Sequence, residues 1–409
     1  MNILLINQPL NNRGDESAHK GLMKALSSIP TIQIEVLFVY GNPNSIDQYN
    51  INVPNAKYVR MEHRKKSFEL FKFGIKYHCR FLWNLHPQCR KYLKVYQEHD
   101  LVVCAPGGIC LGGFQNWEHL IMLEIARYVH KPLAYYGRSF GPFPIETKDN
   151  RKFKRAAVKL LQYMNFISIR DKKTQELADS LSIKYVPTID SAFLASPNEE
   201  IPLEIKQIIG DSRYIVFVPN SLTWHYAYKD KLTESDIVSF FSKVLDILLA
   251  KYPEHKILML PQIFNSGYAN GDKIFFDKLK LIQNSNNLIA IEEKYNSDIQ
   301  QSIIAKADLL VGARYHSIVF ALNNATPFVA FSYEHKIEGL LSLLDKTRHM
   351  VDITDCLLTA EGMNNALNLF QARLSLVCKD ELSRVNAKAI AMRCFDMFLE
   401  NYHLTKIGK

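Results

Sequence analysis

Arg314 and His316 stand two residues apart where an apolar run, Ala307-Asp308-Leu309-Leu310-Val311, gives way to the small residues Gly312-Ala313. The run has the profile of a strand buried on both faces, and Ser317-Ile318-Val319-Phe320-Ala321-Leu322 continues as an apolar helix. Both side chains therefore belong to a strand's carboxyl end beside a helix N-terminus. Ligands of open α/β folds bind there, and free backbone N–H groups favour anions. A fixed cation next to a titratable imidazole suits acid catalysis on an anionic substrate. Either residue alone would read as a loop anchor or a satisfied core side chain. The case rests on the other strand ends.

Those ends repeat the pattern. Asn2–Asn7 reads as a buried strand, and Asn12-Arg13-Gly14-Asp15-Glu16 opens a helix to about Leu26, with Gly14 allowing a tight turn and Asp15 able to act as N-cap. Leu101–Ala105 enters a glycine-rich loop, Pro106-Gly107-Gly108-Ile109-Cys110-Leu111-Gly112-Gly113. This loop lacks the Lys-Ser/Thr ending of a P-loop and the spacing of a dinucleotide fingerprint, so it assigns no nucleotide. Pro132–Tyr136 leads into Gly137-Arg138-Ser139-Phe140-Gly141-Pro142, where Arg138 is either an anion contact or a loop anchor. Phe166–Ile169 ends at Arg170-Asp171, which repeats the placement of Arg314 and supplies a helix cap. After Pro327–Phe331, the stretch Ser332-Tyr333-Glu334-His335-Lys336 offers Lys336 as a third cation.

Strands and helices alternate through residues 1–197, pause at a Pro-, Asn- and Glu-containing linker, and alternate again through residues 203–375. The expected fold is α/β, with two Rossmann-like domains facing a central cleft. Residues 376–409 read as a helical segment that could return to the first domain. Between Arg60 and Lys94, lysines and arginines interleave with Phe68, Phe71, Phe73, Tyr77, Phe81, Trp83 and Tyr92. Such a region could lie on an anionic membrane, hold a lipid-linked diphosphate or bind single-stranded nucleic acid, and the plain alternative is a helix pair with a solvated basic face.

With 409 residues, 47% of them hydrophobic, the chain can build two cores, and its net charge of +9 favours anionic partners. The seven cysteines form no C-x-x-C pair and no zinc-like Cys/His spacing, so neither a disulfide framework nor a metal is expected. A reducing cytoplasm fits that usage. Met1–Ile6 is too short for a signal peptide, and no apolar run approaches the roughly 20 residues that span a bilayer, so membrane contact is expected to be peripheral.

Taken in order, these pieces resemble the polysaccharide pyruvyltransferase family over nearly the whole chain. The resemblance is carried by Asn12 to Glu16, Pro106-Gly107-Gly108, Gly137 to Pro142, Arg170-Asp171 with Thr174, Asp190 with Ala192-Phe193, Pro261-Gln262, Gly312 to Ser317, and Tyr333 to Lys336. It departs from the family pattern at Ile109-Cys110, where relatives often have another glycine. It implies a GT-B-like fold, phosphoenolpyruvate as co-substrate with no cofactor, and a cell-surface glycan or its lipid-diphosphate-linked precursor as acceptor, galactose being one expected sugar. On this reading His316 and Asp15 are catalytic. His316, kept protonated by the bound anions, is the general acid, and Asp15, across the cleft on the first domain, handles the acceptor hydroxyl. Arg170, Arg314, Lys336 and Arg138 hold the donor. The product is a cyclic pyruvate ketal, made in the cytoplasm, with the inner face of the plasma membrane as an expected location through residues 60–94 and with no nucleic-acid partner. A GT-B glycosyltransferase using a sugar nucleotide is the alternative enzyme. A non-catalytic glycan- or nucleic-acid-binding protein is the alternative of another class.

Overall fold

The computed structural model describes the chain apart from residues 9–11, 41–52, 197–198, 224, 226–227, 229–230, 265–270, 334 and 405–409. Parts of the expected first loop, of the linker, of the Ser332 to Lys336 stretch (Glu334) and of the C-terminal segment thus lie outside the described residues.

The chain forms two units. The first comprises Met1–Leu10, Ala18–Ala195 and Ile390–Lys409. Its strands are β1 (Asn2–Ile6), β2 (Gln33–Tyr40), β3 (Ala56–Glu62), β4 (Leu101–Cys104), β5 (Leu133–Tyr135), β6 (Phe166–Ile169) and β7 (Val186–Pro187), and its helices are α1 (Arg13–Ser27) from Ala18 onward, α2 (Lys65–Tyr77), α3 (Pro87–Gln97), α4 (Trp117–Tyr128), α5 (Lys148–Tyr163) and α6 (Lys172–Ser180). The strands make one parallel sheet of order β3-β2-β1-β4-β5-β6-β7. Alternation along β1 sends Leu4 and Ile6 to a core shared with α2 to α5, and Ile3 and Leu5 to a second core on the opposite face. That second core is closed by Leu22, Met23 and Leu26 of α1 and by Phe395, Phe398 and Leu399. Burying each of these phenylalanines contributes about 1.5–3 kcal/mol.

The second unit comprises Asn11–Ser17 and Ser196–Ala389. It contains α7 (Leu203–Ile209), β8 (Tyr214–Val218), α8 (Glu234–Lys251), β9 (Lys256–Met259), α9 (Asp272–Gln283), β10 (Leu288–Ala290), α10 (Ser297–Ala305), β11 (Leu309–Gly312), α11 (Tyr315–Asn323), β12 (Phe328–Ser332), α12 (His335–Leu343), β13 (Met350–Asp352) and α13 (Ala360–Leu374). Its parallel sheet has the order β10-β9-β8-β11-β12-β13. The strand order reverses between β8 and β11, which makes the carboxyl ends of these two strands the unit's topological switch point. The last helix, α14 (Glu381–Asn401), gives its residues through Ala389 to the second unit and those from Ile390 to the first.

The buried central strands coincide with the apolar runs of the sequence. Strands β3, β7 and β13 do not, and all three are sheet edges. β3 alternates partly buried and exposed residues, and β7 and β13 are two and three residues long. An edge strand covered on one side only carries no continuous apolar run. Among the described residues, no helix is long and apolar enough to cross a membrane.

Candidate active site

β11 is buried along its length, and its hydrogen-bonded neighbour β8 continues the ladder one step further, with the Ala313 N–H donating to Val218 O at 2.8 Å. The chain then turns through Arg314 in extended conformation into α11, all of whose residues from His316 to Asn323 are buried. The Ser317 hydroxyl donates to Arg314 O at 2.6 Å and ties the turn. A carboxyl end at the switch point thus presents Arg314 and His316, both more than nine-tenths buried.

The Arg314 guanidinium pairs through Nη2 with Asp272, the first residue of α9. The other oxygen of Asp272 accepts the backbone N–H groups of Gln262 at 2.8 Å and Ile263 at 3.0 Å, so one carboxylate orients the arginine and shapes the turn after β9. Among the described residues, Arg314 Nε and Gln262 Nε2 are buried donors with no hydrogen-bond acceptor. Buried donors in folded proteins are almost always matched by an acceptor.

The same turn takes in residues 12–17. Asn12 forms an antiparallel bridge with Ile263, and the Arg13 N–H donates to Gln262 O at 3.2 Å. Glu16 Oε1 accepts from the Ser297 N–H and hydroxyl, both at 3.0 Å, and Gln301 Nε2 donates to Ser17 Oγ at 3.0 Å. The result is that Asp15 Oδ1 lies 3.8 Å from His316 Nε2, an ion-pair distance whenever the imidazole carries two protons. Gly14 makes this approach possible: a Cβ there would lie 1.9 Å from His316 Cγ and Nδ1. Lys336 is the second residue of α12, which follows β12, the neighbour of β11.

In the first unit, Arg170 follows β6 and pairs with Asp190, and its Nη2 donates to Gly107 O at 3.3 Å. The Arg138 guanidinium is buried under the same loop. Its Nε donates to Ala105 O, Nη1 to Gly108 O at 3.0 Å and to Cys110 Sγ at 3.4 Å, and Nη2 to Asn7 O at 3.2 Å. At Gly107, with φ +157°, a Cβ would stand 2.8 Å from Arg138 Nη2. Beside this loop, burial and Arg138 hold the His119 imidazole well below its usual range and burial pushes the Cys104 thiol up to about 11, while on α3 burial pushes the Cys89 thiol up to about 12. These thiols are protonated at neutral pH and are not nucleophiles. Iodoacetamide at pH 7.5 is expected to label exposed Cys378 in the folded protein and leave Cys89 and Cys104 unmodified, as peptide mass mapping would read. Among the described residues, no group of three or more His, Cys, Asp or Glu side chains is placed to hold a metal ion.

The sequence profile described as polysaccharide pyruvyl transferase matches residues 12–335, a span that takes in every one of these candidates except Lys336. The chain belongs to the polysaccharide pyruvyl transferase family. It is a transferase of polysaccharide biosynthesis. The amylovoran biosynthesis protein AmsJ of Erwinia amylovora is 23% identical to it over 370 residues, covering 84% of this chain and 86% of that protein. In fold, it resembles the UDP-GlcNAc 2-epimerase of Neisseria meningitidis bound to UDP-GlcNAc, with a TM-score of 0.60, 13% identity, and coverage of 99% of this chain and 100% of that one. The α,α-trehalose 6-phosphate synthase of Burkholderia multivorans matches with a TM-score of 0.52, 10% identity and coverage of 98% of each chain. The architecture is of the GT-B type, with two parallel-sheet α/β domains.

Three assignments for this pyruvyl transferase change with the geometry. Asp15 does not cap α1. Asn12 Oδ1 does, accepting from the Gly14 and Asp15 N–H groups at 3.0 and 3.3 Å, which leaves the Asp15 carboxylate for His316. Nor does Asp15 act from the first domain, because the bonds of residues 12–17 to Gln262, Ile263 and Ser297 place it in the second unit. Arg138, read as a donor contact or a loop anchor, is the anchor, with all three guanidinium nitrogens committed to the loop and to Asn7. Asp272 was not visible from sequence as a site residue. An aspartate opening a helix reads as an ordinary complement to the helix dipole, and nothing local marks it as the partner of an arginine 42 residues away. Gln262 was recognisable as part of a motif, without a role.

The Gly14 contact gives a direct test. Gly14→Ala is expected to lower turnover about a hundredfold, the typical result of displacing a reacting group by an ångström. The helix-forming gain of alanine, about 0.5–1 kcal/mol, offsets part of the clash. A Cβ at Gly14 would also stand 2.3 Å from His316 Cβ, next to the backbone of α11, so a lower melting temperature is expected as well. Unchanged turnover would show that the ring does not lie against Gly14.

Proposed function

We propose that this enzyme transfers the pyruvyl group of phosphoenolpyruvate to a sugar of a lipid-diphosphate-linked glycan precursor, with galactose as the first sugar to test, and closes a cyclic ketal on two of its hydroxyls. The observation that carries the reading is the convergence, within the second unit, of an acid–base couple and an anion-seeking arginine: Asp15 3.8 Å from His316, and Arg314 on the same turn.

The chemistry follows from these groups. Phosphoenolpyruvate carries a carboxylate and a phosphate, and arginine binds such groups through paired N–H donors. Arg314 Nε and Gln262 Nε2 supply buried donors for it, and Lys336 supplies a further cation. His316 gives a proton to the methylene carbon of the enol while a sugar hydroxyl adds to the adjacent carbon and passes its proton to Asp15. Phosphate then leaves with its bonding electrons. The resulting oxocarbenium-like carbon is captured by a second hydroxyl, whose proton is released as the ring closes. One phosphoenolpyruvate and one diol thus give one ketal and one inorganic phosphate. In the first unit, Arg138 and Arg170 order the loop after β4.

The test is phosphate release from phosphoenolpyruvate by the purified protein, with and without galactose-, glucose- and N-acetylmannosamine-terminated lipid-linked acceptors, with product mass followed in parallel. Acceptor-dependent release and the mass gain of a pyruvyl ketal are expected. Saturable binding of a nucleotide sugar without binding of phosphoenolpyruvate would replace this reading with a glycosyltransferase.

A further inference from the structure

At the carboxyl edge of the second unit's sheet, three adjacent strands each end in a buried hydrogen-bond donor. Gln262 follows β9, Arg314 follows β11, and Ser221 follows β8, which lies between them. Asp272 ties the outer two together, taking Arg314 Nη2 on one oxygen and the Gln262 and Ile263 N–H groups on the other. This carboxylate therefore links the end of β9 to the end of β11, across the end of β8, with both oxygens bonded to donors. Arg314 Nε and Gln262 Nε2 are left without an acceptor among the described residues. The Ser221 hydroxyl stands with them: the residue is 3% exposed, and among the described residues its Oγ has no hydrogen-bond partner either.

A serine hydroxyl in a turn usually bonds to the backbone beside it. Here the neighbouring groups are engaged otherwise. Val218 O accepts from the Ala313 N–H at 2.8 Å, Ser221 O from the Thr223 N–H at 2.7 Å, and Leu222 O from the His225 N–H at 2.9 Å. Leu222 itself has φ +57°, a left-handed conformation that disfavours a bulky residue, and its side chain is fully buried in the core. Such a backbone persists only where its surroundings impose it, and it gathers at binding sites. The path of the segment supplies the constraint. The His225 ring meets Tyr333, just beyond β12, edge to face with centroids 5.2 Å apart, and the Tyr228 hydroxyl donates to Ile353 O, just beyond β13, at 2.9 Å. The segment thus runs from β8 across the ends of β11 and β12, and Ser221 stands at its start, where β8 adjoins β11.

We infer that Ser221, Gln262 and Arg314 form a seat for one phosphoryl group, with the Ser221 hydroxyl as a ligand contact. Donors from three strand ends match the three terminal oxygens of a phosphate monoester, whereas a carboxylate offers two oxygens in one plane. Asp272 balances the charge of Arg314, so the seat binds through directed hydrogen bonds to a charged group more than through net charge. Identifying the occupant as the phosphate of phosphoenolpyruvate rests on the pyruvyl transferase reading. The seat by itself requires only the phosphoryl oxygens.

A buried donor without an acceptor destabilises the free protein, and a ligand that satisfies it binds more tightly. Ser221→Ala should therefore act on binding and not on folding. The full-length protein is melted without ligand and titrated calorimetrically with phosphoenolpyruvate and with inorganic phosphate. The variant is expected to melt no lower than the wild type and to bind both probes about tenfold more weakly, the worth of one hydrogen bond to a charged group. A lower ligand-free melting temperature, or unchanged affinities, would mean that the hydroxyl is bonded within the protein. A loss for phosphoenolpyruvate alone would give the hydroxyl to the carboxylate. Each of these results overturns the seat, as does failure of the wild type to bind either probe. Acceptor-dependent phosphate release by the wild type, beside unchanged affinities in the variant, removes the seat and keeps the transferase reading. The predicted loss for inorganic phosphate, a parallel loss for a nucleotide sugar and no consumption of phosphoenolpyruvate with any acceptor keep the seat and remove that reading.

Discussion

His316→Ala is expected to lower acceptor-dependent phosphate release by about three orders of magnitude, in the middle of the range that a positioned general acid contributes. Phosphoenolpyruvate binding should stay within a few-fold of wild type, because the donors assigned to it, Arg314 Nε and Gln262 Nε2, do not depend on the imidazole. The substitution is mild for the fold. His316 lies in the first turn of α11, and alanine suits a helix. Calorimetric titration of phosphoenolpyruvate beside phosphate release therefore separates chemistry from binding. A variant that binds the donor and still forms the ketal at the wild-type rate would remove His316 from the reaction. Asp15→Asn should show a smaller but similar loss, since it keeps the shape of the side chain and removes the carboxylate 3.8 Å from the imidazole.

Asp272→Ala is expected to be the most damaging single change to stability in the second unit, and to raise the concentration of phosphoenolpyruvate needed for half-saturation. The Asp272 side chain is only 2% exposed, and its partner Arg314 only 7%. Removing one member of a buried pair leaves the other charge uncompensated, which costs about 3–5 kcal/mol. The N–H groups of Gln262 and Ile263 lose their acceptor at the same time. For a domain of this size each kcal/mol moves the melting temperature by about 2–4 °C, so a fall of roughly 10 °C is expected. A shift of less than about 2 °C would mean that the pair contributes little to stability. The double variant Asp272→Leu/Arg314→Met sharpens the test, because replacing both charges with apolar groups is often neutral or stabilising. It should recover most of the melting temperature and none of the turnover, which would separate the arginine's structural pairing from its contact with the donor.

Much of this molecule is legible in its sequence. β1, β4, β8 and β11 are central strands of all-parallel sheets, buried on both faces, so each appears as an unbroken apolar run whatever else the chain does. The corner after β11 is equally local: small residues end the strand, and an apolar helix begins two residues later. Those features depend on periodicity and turn chemistry within a few residues, and so do the ordered motifs that identify the family. Tertiary structure alone decided the rest. The order of strands in each sheet, the partnership of Asp15 with His316 across some 300 positions of sequence, and the placing of Asp272 against Arg314 are relations between distant segments, and no residue's neighbours in the chain encode them. Arg138 shows the same division. Its sequence position announced a cation at a strand end, but only the fold of the loop around Ala105, Gly108 and Asn7 determined that its hydrogen bonds go to the backbone, because buried carbonyls must find donors and this guanidinium lies within reach of three.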